Sequence, residues 1–252
     1  MSSEGAFPER LERCARLFGL SGVARLRAAR VAVFGLGGVG SFASEGLARC
    51  GVGHLSLVDH DRVLPTNLNR QLQATASAVG RPKAEVLRER LQDVAPDASI
   101  EALVEFFAAE TAAALLDRGF DWVVDAIDSL GPKVTLIREC LRRGVPVISS
   151  LGAGGRLDPT RVRVGPLATT RGDALGAVVR KRLRRQGSLA GVIAAYTEEP
   201  RRPARAGPWS QRTQDLHRGR QRVIQPSAVM VPAAMGMAIA AHVVTAITEL
   251  GR

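Results

Sequence analysis

The sequence predicts an α/β fold built on a doubly wound, mostly parallel sheet, with a C-terminal extension of further strands, an Arg-rich loop and a long apolar helix. Three observations predict it. Over the first 150 residues short apolar runs alternate with segments of helical period, the rhythm of parallel strands joined by crossover helices. A glycine run, Gly35-Leu-Gly37-Gly38-Val-Gly40, lies between the first apolar run and the helix after it. The 252 residues, 46% hydrophobic and 23% charged, suffice for one large or two small domains without disulfides or metal.

Residues 8–29 read as one or two short helices with Leu11, Leu17, Phe18 and Leu26 as apolar contacts. Arg30 to Gly35 is a short buried strand, followed by the glycine loop and a helix to about Cys50. The run Leu55 to Val58, ending in Asp59, is the second strand. Pro82 suits the first turn of a helix over Lys83 to Leu91, with Glu85 near its positive end. Strands follow at Ser99 to Val104, Trp122 to Ile127 and Val145 to Ser149, the last two separated by a helix over Lys133 to Arg143. After Gly155 the rhythm changes. Arg161 to Val164 and Val192 to Tyr196 read as strands, Asp173 to Arg185 as a helix, and 199–225, rich in proline and arginine, as a loop.

Ala228 to Ile247 carries no formal charge, a length that could span a bilayer. Pro232, His242 and many alanines supply little transfer energy, so a buried or interfacial helix is expected and no stable membrane insertion. The organisation is therefore a nucleotide-binding region over 1–155, with N-terminal helices, and a substrate-binding region over 156–252, in one continuous fold.

Cys14, Cys50 and Cys140 lie far apart in sequence, which excludes a disulfide framework and a four-cysteine zinc site. The first twenty residues are charged throughout and contain no apolar signal segment, so a cytoplasmic protein is expected. Net charge is +11, and residues 161–222 hold all of the excess, with 15 basic and 4 acidic residues. That asymmetry suits a polyanion. Against it, 32 of the 35 basic residues are arginine, a sign of general compositional bias. Tyr196 and Trp209 are the only aromatics there, so base stacking is not indicated.

The glycine loop has the strand-to-helix setting that lets backbone approach a phosphate at the positive end of a helix, a Rossmann-like arrangement. Asp59 stands nineteen residues beyond Gly40, where a carboxylate accepts hydrogen bonds from ribose. A redox enzyme needs little positive charge beyond the pyrophosphate; an enzyme attacking the α-phosphate of ATP must hold a triphosphate and a metal. Asp61, the run Asn67-Leu-Asn69-Arg70-Gln71 and Lys83 supply such groups. Lysine is otherwise nearly absent, with three in the chain. Asp125-Ala-Ile-Asp128 adds hard oxygen ligands suited to Mg²⁺. His54, His60, His217 and His242 are too scattered to assign as ligands.

In order and spacing, these residues resemble the ubiquitin-activating-type (ThiF/MoeB-like) adenylating enzymes. The resemblance implies an acyl adenylate formed by attack of a carboxylate on ATP. It implies that Asp59 binds ribose, Asp61 lies beside the nucleotide, Asn69, Arg70 and Lys83 hold phosphates, and Asp128 binds Mg²⁺. It also matches Arg13 to an arginine that reaches the neighbouring subunit's phosphates, which implies a homodimer. Cys50 and Cys140 fall at core-like helix positions and Cys14 has no base beside it, so a thioester relay lacks a nucleophile. Neither of the zinc-binding CxxC pairs common among sulfur-carrier activators is present.

One branch does without both. The runs Arg13 to Gly19, Gly152 to Gly155 with Asp158-Pro159-Thr160, Asp173 to Arg185, Tyr196 to Pro200 and Ser227 to Pro232 resemble the tRNA threonylcarbamoyladenosine dehydratases. That implies ATP-dependent ring closure on tRNA bearing threonylcarbamoyladenosine at position 37, with loss of water, and leaves room for a sulfur-acceptor protein partner. Pro226, where glycine is common, and the Arg201–Arg222 loop depart from the pattern. Three alternatives stay open: adenylation of the C-terminal glycine of a ubiquitin-like sulfur carrier, hydride transfer with NAD, and a non-catalytic nucleotide-binding adaptor.

Overall fold

The structure is a computed structural model that describes residues 7–185, 187, 189–207, 213–214, 222–223 and 225–249. Its centre is a seven-stranded sheet. In chain order the strands are β1 (Arg30–Phe34), β2 (His54–Val58), β3 (Ser99–Leu103), β4 (Trp122–Asp125), β5 (Val147–Ser150), β6 (Val162–Pro166) and β7 (Ile193–Thr197). They lie in the order β3-β2-β1-β4-β5-β7-β6, parallel throughout except for the antiparallel β6–β7 pair at one edge. Strand β1 and its neighbour β4 are buried on both faces, which is why they read as unbroken apolar runs rather than alternating ones. The order reverses between β1 and β4, so the carboxyl ends of these two strands open a crevice there.

Helices cover both faces: α1 (Glu12–Ala28), α2 (Gly40–Cys50), α3 (Lys83–Val94), α4 (Ala112–Leu116), α5 (Leu130–Arg143), α6 (Ala174–Arg185) and α7 (Met230–Glu249). A 3-10 turn, Glu9–Leu11, precedes α1, and α1 itself is kinked at Gly19, whose φ of 73° leaves the helical region. The sequence did not announce α4 or the 3-10 turns at Pro65–Asn67 and Ala76–Ala78; each is a single short turn. Pro82 stands one residue before α3 rather than inside its first turn. Residues 208–212, 215–221 and 224 of the predicted 199–225 loop lie outside the described residues, and two two-residue strands, β8 (Thr213–Gln214) and β9 (Arg222–Val223), pair within it.

α7 is long and apolar enough to cross a membrane by length and composition, yet it packs inside the molecule against α2 and α1. Small residues allow the approach: a Cβ on Gly46 would fall 2.7 Å from that of Ala240, and one on Gly236 only 2.5 Å from the carbonyl oxygen of Val39. Arg25 of α1 donates to the terminal carbonyls of Ile247 and Thr248, satisfying acceptors the helix cannot use itself. α7 thereby clamps α2, the helix whose first turn follows the glycine loop.

Candidate active site

The glycine loop is forced by contacts, not merely permitted. Gly35 follows β1 with φ of 86°, and a Cβ there would sit 2.7 Å from the Ala126 carbonyl oxygen. Gly40 begins α2 so close to the Gly35 carbonyl that a Cβ would be 1.8 Å from its oxygen. Beyond its chain neighbours, no atom of the described residues lies within 4 Å of the Cβ position of Gly37, which borders the crevice and leaves room for a phosphate. Asp59 locks the loop from the end of β2: its Oδ2 accepts the Leu36 N–H at 2.6 Å and its Oδ1 the Asp61 N–H at 2.8 Å. Gln73 donates to the Leu36 carbonyl at 2.8 Å from the other side.

The crevice encloses about 900 Å³. Gly35, Gly37, Gly38, Asp59, Asp61, Arg70, Gln71, Lys83 and Asp128 all line it. Lys83 opens α3, and both its backbone and its side chain fold back on Asp61: the amide donates to the Asp61 carbonyl at 2.9 Å, and Nζ meets Oδ2 at 2.8 Å. Burial works to pull the Lys83 ammonium down, but Asp59 and Asp61, with Asp128, outweigh it and hold the group above the ordinary lysine range. Lys83 is thus a fixed cation in a nearly dry wall, 5% exposed.

Arg70 is brought over the glycine loop by the turn after Pro65–Asn67. Ser41 ties that segment down, its hydroxyl accepting the Leu72 N–H at 3.2 Å while donating to Gly37. The Arg70 guanidinium donates to the Thr66 carbonyl and to Asn69 Oδ1. Partial burial lowers its pKa and the field of Asp128 opposes that. Gln71 is buried beside it with Oε1 lacking a donor among the described residues. The carboxyl side of the crevice is closed by segments after β5: Gly152 to Gly154, Arg156, the start of α6, Arg201 and Gln225.

A ThiF family model matches residues 11–252 of the chain. The chain is 40% identical to the tRNA threonylcarbamoyladenosine dehydratase of Bacillus subtilis over 227 residues, covering 90% of this chain and 89% of that one. It is 41% identical to the Escherichia coli dehydratase over 179 residues, covering 71% and 67%. The crystal structure of the E. coli dehydratase TcdA in complex with ATP superposes with a TM-score of 0.85 at 33% identity, over 99% and 98% of the chains, and the AMP complex with 0.86 at 32%, over the same shares. The chain belongs to the ThiF family. Within it, the chain is about 40% identical to tRNA threonylcarbamoyladenosine dehydratases.

Four predicted site residues in this ThiF-family chain stand elsewhere. Asp125 does not reach the crevice: it is wholly buried, its Oδ2 2.6 Å from Lys133 Nζ and 2.6 Å from the Ser149 hydroxyl. Complete burial pushes its carboxyl up, against the pull of Lys133, Ser149 and the Ile127 N–H. It therefore braces β4 against β5 and α5 rather than presenting an oxygen to a metal. Gly40 lies behind the loop as the point of closest helix approach. Asn69 does not line the crevice; it donates to the Ser227 carbonyl at 2.9 Å and so bridges to the approach of α7. Arg13 is exposed on α1, outside the crevice of its own chain.

The sequence analysis did not single out Arg156 and Arg201, which line the crevice, or Gln73 and Lys133, which brace the segments around it. The scarcity of lysine that pointed to Lys83 applied equally to Lys133, whose Nζ also donates to the Ser150 carbonyl at 2.9 Å. The cysteines are poor nucleophiles where their thiols are shifted. Burial, with a smaller contribution from Cys14, pushes the Cys50 thiol up to about 11, and burial with the Asp125 field pushes Cys140 up to about 12.

Proposed function

We propose that this protein uses ATP to close a ring in the threonylcarbamoyl group of tRNA adenosine 37. The observation that carries this reading is one continuous crevice with two chemical halves. One half sets the glycine loop opposite Lys83 and Arg70; the other is built from the C-terminal region that the chain shares with the dehydratases. The carboxylate of the substrate attacks the α-phosphate, the bond to the β-phosphate oxygen breaks, and pyrophosphate leaves. A neighbouring N–H or O–H group of the same modification then attacks the activated carbonyl, its proton passes to solvent, and AMP departs carrying the carboxylate oxygen. The balance is substrate and ATP to cyclised product, AMP and pyrophosphate, the loss of one water from the nucleoside.

Lys83 and Arg70 hold the phosphates and offset charge on the departing pyrophosphate. Asp59 offers its remaining lone pairs to ribose, and Gln71 Oε1 offers an acceptor to a nucleotide donor. Asp128 is an exposed carboxylate on the crevice wall, in the fields of Arg70 and Lys83. A single hard oxygen donor beside phosphates suits Mg²⁺, which supplies charge neutralisation at the α- and β-phosphates when bound. Because the nucleophile belongs to the substrate and is already tethered, no protein thiol has to carry the acyl group. Arg13 can reach a nucleotide only from a second copy, and the exposed Leu17 and Leu20 of the same helix favour a homodimer.

Incubation with ATP, Mg²⁺ and tRNA bearing threonylcarbamoyladenosine tests the reading. Nucleoside mass spectrometry is expected to show the loss of one water and one AMP formed per ring. Pyrophosphate exchange that responds to a ubiquitin-like carrier protein but not to the tRNA would replace this reading with carrier activation.

A further inference from the structure

Two anions must meet in this crevice, the acceptor carboxylate and the triphosphate, and Coulomb repulsion between them has to be offset on both sides. Among the described residues four long cationic side chains line it: Arg70, Lys83, Arg156 and Arg201. Lys83 is committed to Asp61, and Arg70 stands on the nucleotide side in the field of Asp128.

On the acceptor side Arg156 is buried and fully engaged. Its Nε donates to the Glu199 carbonyl at 3.0 Å, Nη1 to Gly152, and Nη2 to Asp173 Oδ2 at 3.1 Å. The start of α6 is no better placed for an anion, because Asp173 already occupies it, with Oδ1 accepting the Gly176 N–H at 2.7 Å. Arg201 is exposed on the crevice wall and has no hydrogen bond or ion pair among the described residues.

Its backbone, in contrast, is pinned. The Arg202 N–H donates to the Gly155 carbonyl at 2.7 Å, the Gly155 N–H donates to the Pro226 carbonyl at 2.7 Å, and Glu199 accepts the N–H groups of Leu157 and Asp158 at 2.8 Å each. Gly155, with φ of 74°, has no Cβ because the Arg201 side chain and the Arg202 carbonyl pass 2.8 and 2.9 Å from where it would be. The anchoring holds one uncommitted guanidinium over the acceptor half of the crevice.

We propose that Arg201 receives the acceptor carboxylate, the threonyl carboxylate under the function proposed above, and so selects tRNA that carries the modification. A guanidinium matches a carboxylate with two parallel N–H···O bonds, and its charge lowers the repulsion as that carboxylate nears the phosphates.

The test measures binding of modified tRNA, and of the same tRNA lacking the threonylcarbamoyl group, with a non-hydrolysable ATP analogue present. Wild type is expected to prefer the modified tRNA by about 10-fold or more, the scale of a charge-assisted hydrogen-bond pair. Arg201→Ala should bring that ratio near one while binding of the unmodified tRNA stays within about twofold, and Arg201→Lys should restore part of it. In turnover, Arg201→Ala should raise KM for tRNA and leave KM for ATP within about twofold. If Arg201→Ala weakens both tRNAs equally and makes the salt dependence shallower, the residue holds a backbone phosphate and the proposal is overturned. An unchanged ratio overturns it as well. Wild-type enzyme that leaves the nucleoside mass unaltered overturns the dehydratase reading and this assignment together; an active wild type with an indifferent variant overturns this assignment alone.

Discussion

Lys83 and Asp125 show what residue-level reasoning reached and where it stopped. Lys83 was legible because a lysine in an arginine-rich chain has a reason: its compact ammonium is buried beside Asp61, with Lys83 only 5% exposed. In the Asp125-Ala-Ile-Asp128 run both carboxylates looked alike. Only the packed structure sends Asp125 inward to Lys133 and leaves Asp128 on the crevice, because Asp125 is the last residue of β4 and Asp128 lies three residues beyond it. Under the proposed chemistry, Lys83→Ala and Arg70→Ala are each expected to slow pyrophosphate release by about 10² to 10³, the cost of removing one preorganised charge from a transition state. Single-turnover assays with radiolabelled ATP would show it. Rates within threefold of wild type in both variants would remove these residues from the phosphate site. For Lys83→Ala the folded state should first be confirmed by circular dichroism, because the ion pair with Asp61 is lost.

At the scale of elements, the alternation of strands and helices was readable because the central strands β1 and β4 are nearly continuous apolar runs and helices such as α5 and α6 carry one apolar stripe. What could not be read was the partner of the last helix. Twenty uncharged residues satisfy a bilayer, a core or an interface equally by length; the glycines and alanines decide, because they let α7 lie against α2. Single-turn α4 and the 3-10 turns left no periodic signal at all. The close approach yields a prediction. Gly236→Ala would press a methyl group onto the Val39 carbonyl and the Ala43 amide nitrogen, 2.5 and 2.9 Å from the Cβ position. These are backbone atoms at the start of α2 and cannot swing aside. The variant is expected to lose about 1–3 kcal/mol of stability in urea unfolding and to bind ATP more weakly, because the glycine loop precedes the displaced turn. Gly165→Ala, with open space around it in the edge strand β6 where extended backbone suits the residue before Pro166, should be neutral or stabilising by up to about 1 kcal/mol. Equal effects from the two substitutions would mean that the α2–α7 contact is not tight.

Over the whole molecule the charge asymmetry was plain in the sequence, whereas its geometry was not. α6 settles part of it: Gly176, Val179 and Leu183 face inward, while Lys181, Arg182, Arg184 and Arg185 are exposed. Ala174 and Leu175 at its start line the crevice, so the basic last turn, Arg182 to Arg185, stands about 12 to 17 Å from Ala174 along the helix axis. That separation suits a nucleic acid whose reactive base enters the crevice while backbone phosphates run along the helix. The compositional alternative, that arginine merely replaces lysine throughout, predicts no ligand at this end. Replacing Arg182, Arg184 and Arg185 together with alanine separates the two. If phosphates lie here, tRNA affinity should fall by about 10-fold or more at physiological salt, and the plot of log affinity against log salt should become shallower by up to about 2 to 3, with each lost duplex contact worth about 0.9. Modified and unmodified tRNA should weaken together, since phosphates carry no information about the base, and KM for ATP should hold within about twofold. Unchanged affinity and slope would mean that this turn is a solvated surface whose cations serve only the negative end of α6.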